Sequence, residues 1–129
     1  SKVAVEAECD DDIEIETHPG ALSQIISNLV LNSMTHAYDE NSEGAISINI
    51  YQDNGQIIIE YSDDGKGISK KNLKNIFTPF FTTRRGTGGS GLGLSIVYNL
   101  VTGTLKGSIS AQSEEGKGTS FRIVFPQSV

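Results

Sequence analysis

Residues 44–65, GAISINIYQDNGQIIIEYSDDG, can fold in very few ways. Ile46, Ile48 and Ile50 recur with a period of two, and Ile57, Ile59 and Tyr61 return with the same period. Between them, Asn54-Gly55 supplies a two-residue turn of the kind that tolerates positive φ. The stretch is therefore an antiparallel hairpin with one apolar face, and that face has to be covered. A cover lies just upstream, where HPGALSQIISNLVLNSMTHAY changes to a helical period. Leu22, Ile25, Ile26, Leu29, Val30, Met34 and Ala37 form a wide stripe, and Pro19 stands where a helix can begin.

The remaining elements fit around this pair. KVAVEAE alternates from Val3 to Ala7, and Ile13 and Ile15 alternate in IEIET, so both read as strands. SKKNLKNIF reads as a short helix capped by Ser69. A second helix is expected from Leu92 to Val101, with Leu94, Val97, Tyr98 and Val101 on one side. GSISAQS and TSFRIVF, joined by EEGKG, make a final hairpin. This order predicts an α+β fold, a two-layer α/β sandwich: a mainly antiparallel mixed sheet with about three helices on one face. One domain spans residues 1–129.

Charge and cysteine usage narrow the function. The formal net charge of −6 leaves no basic face to release counterions from a nucleic acid, so no nucleic acid partner is expected. Glu8, Asp10, Asp11, Asp12, Glu14 and Glu16 read as a solvated turn and strand edge, the alternative being a metal or basic-partner site. The single cysteine, Cys9, rules out an internal disulfide and a multi-cysteine metal cluster, and fits a reducing compartment. No apolar run approaches the roughly 20 residues of a membrane helix. A chain that opens directly in a strand, with no signal-like segment, is expected to be a domain cut from a larger protein.

Three polar stretches carry candidate chemistry. Asn28, Asn32 and Thr35 share one face of the long helix, which is either its wet side or a place where an asparagine carbonyl meets Mg²⁺. In SDDGKGI, Gly65 and Gly67 permit a close backbone approach beside Asp63 at the strand end, or form a plain Asp-Gly turn. In EEGKGTSF, Gly116 and Gly118 flank a turn before Thr119. Neither Gly-Lys pair is a P-loop, because Lys66 and Lys117 are each followed by glycine. TTRRGTGGSGLGL contains a literal G-x-G-x-x-G at Gly86, Gly88 and Gly91. It follows FTPFFTTRR and is surrounded by antiparallel hairpins, so it is not a dinucleotide fingerprint.

Taken in order, SQIISNLVLNSMTHA, SDDGKGI, IFTPFFTTRRG, GGSGLGLSIVYNLV and GKGTSFRIVFP resemble the N, G1, F, G2 and G3 boxes of a known domain. It is the ATP-binding catalytic domain of bacterial two-component sensor histidine kinases, of the Bergerat ATP-binding fold. The resemblance runs from about His18 to Pro126. It implies ATP or ADP with Mg²⁺ as cofactors. Asp63 resembles the carboxylate that accepts from the adenine amine, with Gly65 and Gly67 under the base and Thr119 as a second adenine contact; Ile68 and Phe77 are further expected nucleotide-binding positions. Asn32 resembles the Mg²⁺ ligand, and Asn28 the asparagine one turn earlier beside the phosphates. Phe77, Phe80 and Phe81 resemble the hinge of a short, mobile lid. Arg84, with Arg85, is where a basic residue near the γ-phosphate is frequent, and Gly89, Ser90, Gly91, Leu92 and Gly93 resemble the phosphate-facing start of a helix. Thr35 departs from the pattern, since relatives often have Lys or Arg there, and His36 is open between packing and a nucleotide contact.

Hydrolytic members of the fold use a glutamate at the position of Asn28, and asparagine is no general base. The resemblance thus implies phosphoryl transfer, with Asn28 and Arg84 as the catalytic pair. The acceptor is expected on a separate dimerisation and histidine-phosphotransfer domain of the same parent protein, because neither His18 nor His36 lies in an acceptor context. A response regulator is expected downstream. The domain itself is expected to be cytoplasmic, monomeric, and able to bind nucleotide without phosphorylating itself; membrane attachment of the parent stays open. Alternatives are an anti-sigma-factor-type serine kinase or ATPase switch of the same fold, and an interaction module that binds no nucleotide.

Overall fold

The central hairpin forms as its pattern requires. In a computed structural model that describes residues 2–9, 19–39, 41–79 and 93–127, strand β2 (Glu43–Asp53) pairs antiparallel with β3 (Gln56–Asp63), placing Ile48 opposite Tyr61 and Ile46 opposite Asp63. Asn54 and Gly55 turn the chain at φ 51° and 77°. β1 (Lys2–Cys9) precedes α1 (Pro19–His36), and α2 (Lys70–Leu73) follows the hairpin. Then come α3 (Gly93–Asn99), β4 (Ser108–Glu114) and β5 (Gly118–Pro126). The sheet order is β1-β2-β3-β5-β4, so β3 and β5 lie inside and the last hairpin enters with its second strand inward.

β1 runs parallel to β2, and every other pairing is antiparallel. Parallel neighbours need a crossover connection, and α1 lies within the segment that joins them. The strand expected around Ile13 and Ile15 falls outside the described residues.

Ile46, Ile48, Ile57, Ile59, Tyr61, Phe121, Ile123 and Phe125 form the buried row of the sheet. Ile25 and Leu29 of α1, with Leu94 and Val97 of α3, close over it in one cluster. Removing a large apolar side chain from water contributes about 1.5–3 kcal/mol, so this face holds the layers together. Ser69 caps α2 through a hydrogen bond from the Asn72 amide, as expected. No helix among the described residues is long and apolar enough to cross a membrane.

Two helical stripes differ from expectation. Met34 was expected inside but is 38% exposed, while Ser33 is fully buried. The inward row of α1 is Ala21, Ile25, Leu29 and Ser33, and Ser33 fits there because polar partners meet it across the layer. Tyr98 is 42% exposed and rests its ring beside Phe77 instead of entering the core. The helix begun at Gly93 also outlasts Val101, by switching to a π turn over Leu100–Thr104, with the Leu105 amide bonded to the Leu100 carbonyl. An α turn overshoots a four-residue row and the wider π turn undershoots it, so Val97, Val101 and Leu105 all stay buried.

Candidate functional site

Asp63 is the last residue of β3, 8% exposed, at a point where three elements meet. Its Oδ1 accepts the amides of Gly65 at 3.1 Å and Thr119 at 3.2 Å. Its Oδ2 accepts the Ser33 hydroxyl at 2.8 Å. Thr119 stands directly across from Asp63 in the β3–β5 register, and Ser33 reaches down from α1. A carboxylate offers about four lone-pair sites, and three are filled by the protein.

The two Gly-Lys-Gly stretches pack against each other beside this carboxylate. The Gly116 amide bonds to the Lys66 carbonyl at 2.8 Å, and the Ile68 amide bonds to Ser113 Oγ at 2.7 Å. That hydroxyl also bonds the Gly118 carbonyl at 2.9 Å and Thr119 Oγ1 at 2.8 Å. Glycine is required where the backbones touch. Gly67 has φ +75°, and a Cβ there would collide with the Glu114 carbonyl; Gly118 has φ +118°, and a Cβ would collide with the Asp63 carbonyl. Gly65 lies against Ala37 at the end of α1, whose carbonyl accepts the Lys66 amide at 3.0 Å.

A cavity of about 340 Å³ opens next to Asp63. Asn32 and His36 of α1, Asp63 and Thr119 of the sheet, and Gly67 and Ile68 of the loop line it. Lys66 lines it too, with its ammonium 3.1 Å from Asp39 in an exposed pair. A second hollow of about 330 Å³, on the outer sheet face, is walled by Ser47, Asn49, Glu60, Gln112 and Arg122. Those five side chains are all exposed, whereas the cavity at Asp63 is walled by a buried carboxylate and several residues singled out in the sequence, which makes it the candidate site.

Of the residues singled out in the sequence, Asn32, Asp63, Gly67, Ile68 and Thr119 therefore come together. Asn28 is half-buried one turn before Asn32. Phe77 sits in an aromatic group, 5.5 Å from the Tyr98 ring and 6.3 Å from that of Phe121. Gly93 opens α3 with open space around it. Arg84, Arg85, Gly89, Ser90, Gly91 and Leu92 lie outside the described residues, as do His18, Phe80, Phe81 and the lid.

Sequence reasoning missed four contributors. Ser33 and Tyr61 form a buried hydroxyl pair at 2.6 Å, and Tyr61 also reaches the Leu29 carbonyl at 3.0 Å. Burial pushes the Tyr61 phenol up to about 12, against the lowering effect of Ser33. Asp64 Oδ1 accepts the Ala45 amide at 2.9 Å and the Tyr38 hydroxyl at 2.7 Å, and these two bonds hold its carboxyl below the usual range. Burial first, then the bond to Asp64, raises the Tyr38 phenol. The available signal was Ser33 itself, standing four residues after Leu29 in an apolar row.

The lining offers a cation a neutral oxygen donor rather than a cluster of charged ligands. Among the described residues no three His, Cys, Asp or Glu side chains converge as metal ligands. A hard divalent ion here would take the neutral carbonyl of Asn32 together with oxygens of its own ligand and water, a combination Mg²⁺ accepts.

Comparison with known proteins bears on the family and the fold. Residues 17–129 match the family model described as histidine kinase-, DNA gyrase B-, and HSP90-like ATPase. The chain is 38% identical to the autoinducer 2 sensor kinase/phosphatase LuxQ of Vibrio parahaemolyticus, over 97% of this chain and 15% of that protein. It is 37% identical to the sensor histidine kinase ZraS of Escherichia coli K12, over 90% of this chain and 24% of that protein. It thus spans about a quarter or less of these two relatives. Its fold superimposes on a nucleotide-free form of the catalytic domain of histidine kinase ThkA with a TM-score of 0.81 at 28% identity, covering 98% of this chain and 80% of that one.

Proposed function

The chain belongs to the histidine kinase-, DNA gyrase B-, and HSP90-like ATPase family, and from that premise we propose that it holds Mg-ATP in the cavity beside Asp63 for transfer of the γ-phosphoryl group to a histidine on a separate dimerisation domain. The observation that carries this reading is the state of Asp63. Three of its acceptor sites are filled by Gly65, Thr119 and Ser33, which leaves one, at the wall of the cavity, for a neutral N–H donor. An exocyclic amine on a flat base fits that demand.

Thr119 and Ile68 bound the base, and Gly67 keeps the wall open. Asn32 would hold the magnesium, with Asn28 one turn away on the same helix, and Arg84, Arg85 and the glycine-rich residues 89–93 would meet the phosphate charge. Magnesium, when bound, spreads the negative charge of the phosphates. The protein's share of the chemistry is positioning and charge neutralisation, the usual one for phosphoryl transfer. α1 has no acidic residue with which to activate water, which favours transfer over hydrolysis.

Neither His18 nor His36 resembles the family's acceptor context, which supports an acceptor histidine on another domain of the same parent protein, with a response regulator as the next recipient. A domain that draws on ATP would work in the cytoplasm, where ATP is held. Alone, the chain is a monomer that binds nucleotide and does not label itself. Titration calorimetry with Mg-ADP tests binding: affinity in the wild type and its loss in Asp63→Asn are expected, and no binding to the wild type would overturn the reading. Joined to the dimerisation domain of its parent, the chain should yield acid-labile, alkali-stable phosphate. Acid-stable phosphate would point to a serine kinase instead.

A further inference from the structure

Ser33 occupies a place where a hydroxyl needs a reason. It is fully buried, and its three companions on the inward row of α1, Ala21, Ile25 and Leu29, are apolar. A buried hydroxyl without partners is costly, so its bonds define its role.

Proton counting gives those bonds a direction. A carboxylate has no proton to give, so in the 2.8 Å contact Ser33 donates to Asp63 Oδ2. Having used its only proton, Ser33 must accept in its 2.6 Å contact with Tyr61. The Leu29 carbonyl, 3.0 Å from the same phenol, stands four residues before Ser33 and is the helical acceptor of its amide, so it needs Tyr61 less. The proton of Ser33 thus goes to Asp63, and the single proton of Tyr61 lies within reach of both Ser33 Oγ and the Leu29 carbonyl.

At Asp63 the three donors are not equivalent. Gly65 and Thr119 both bond Oδ1, at 3.1 and 3.2 Å, and Ser33 bonds Oδ2 at 2.8 Å. The terminal torsion of an aspartate is broad, so one anchored oxygen leaves the carboxylate plane free to turn and two fix it. We propose that Ser33 is the positioning residue that sets the plane of Asp63 and thereby selects a base with an exocyclic amine over one with a carbonyl at the same position. This deepens, and rests on, the reading of Asp63 as the base-recognising carboxylate. With Ser33 gone, Oδ2 gains an open acceptor site, and a hypoxanthine ring can offer its ring N–H to the turned carboxylate.

The test is calorimetry of the chain with Mg-ADP and with Mg-IDP, with melting curves alongside. The wild type is expected to prefer ADP, and Ser33→Ala to narrow the ADP-to-IDP affinity ratio by about tenfold, the scale of one hydrogen bond to a charged group. Ile25→Val, in the same interface, should lower the melting temperature and leave the ratio unchanged. If Ser33→Ala does not fold, Ser33→Cys keeps the shape with a weaker donor and should narrow the ratio by less. A Ser33 variant that loses affinity equally for both nucleotides, with its ratio intact, overturns the proposal and leaves Ser33 a packing residue. A wild type that binds ADP and IDP alike overturns the base reading, and the proposal with it.

Discussion

The hydroxyl of Tyr38 donates to Asp64 Oδ1 at 2.7 Å, and the same oxygen accepts the Ala45 amide at 2.9 Å. This ties the end of α1, two residues after His36, to the start of β2 and the end of β3. The Tyr38 ring lies so close over Gly44 that a Cβ there would collide with it. Asn32 and His36 on one side and Asp63 on the other are thereby kept at a set separation.

Breaking that tie should loosen the site before it unfolds the domain. Tyr38→Phe leaves the Asp64 carboxylate with one donor fewer and is expected to cost about 1–2 kcal/mol in urea unfolding. Mg-ADP affinity should fall several-fold in the same variant, read by calorimetry.

The acid limb of stability should carry the signature of Asp64. Its carboxyl is held below its ordinary value by Ala45 and Tyr38, so its contribution is present above about pH 4 and is lost as pH falls through the lowered folded value. Unfolding midpoints of the wild type from pH 5 to pH 2.5 should drop more steeply than those of Asp64→Asn.

At the alkaline end the sign reverses. Tyr38 and Tyr61 both have raised phenols, Tyr61 to about 12, so the folded state keeps protons that the unfolded state releases. Their stabilisation is whole below about pH 10 and is lost as pH rises above it. Urea midpoints between pH 9 and pH 11.5 should fall, and Tyr61→Phe should flatten that fall while lowering the midpoint at pH 7.

Glycine replacements should separate strain from collision. Gly116 has φ +83° with open space around it, so Gly116→Ala carries only the left-handed penalty, about 1–2 kcal/mol. Gly67→Ala adds a clash with the Glu114 backbone and should cost clearly more, with a larger drop in melting temperature and loss of Mg-ADP binding.

Chelation tests the role of Asn32. Removing magnesium should weaken ATP binding by at least tenfold and leave adenosine binding nearly unchanged. Asn32→Ala should reproduce that pattern in the presence of magnesium, by competition with a fluorescent nucleotide.

Much of the frame was legible in the residues because its causes are local. Ile46 through Tyr61 alternate around Asn54-Gly55, and a period of two with a positive-φ turn has one outcome. Strand ends and glycine turns placed Asp63, Gly67 and Thr119 individually, and their grouping at one site came from the resemblance to the histidine kinase boxes. Ser33 was not legible, because its burial depends on Tyr61 and Asp63, 28 and 30 residues away, and helical period alone favoured Met34. Tyr98 was misplaced for a similar reason, since Phe77 gives its ring a partner outside the core.

The sequence by itself determined the two layers, the central hairpin, the long helix over it and the carboxylate at the end of β3, since each rests on periodicity and turn chemistry within a short span. Only the tertiary structure decided that β1 runs parallel to β2, that α3 widens into a π turn, and that Asp63 and Asp64 have separate partners. Two adjacent aspartates in one strand end look alike along the chain. They differ because Asp63 meets Ser33 and Thr119 beside the cavity, and Asp64 meets Tyr38 and Ala45 at the seam of α1 and the sheet.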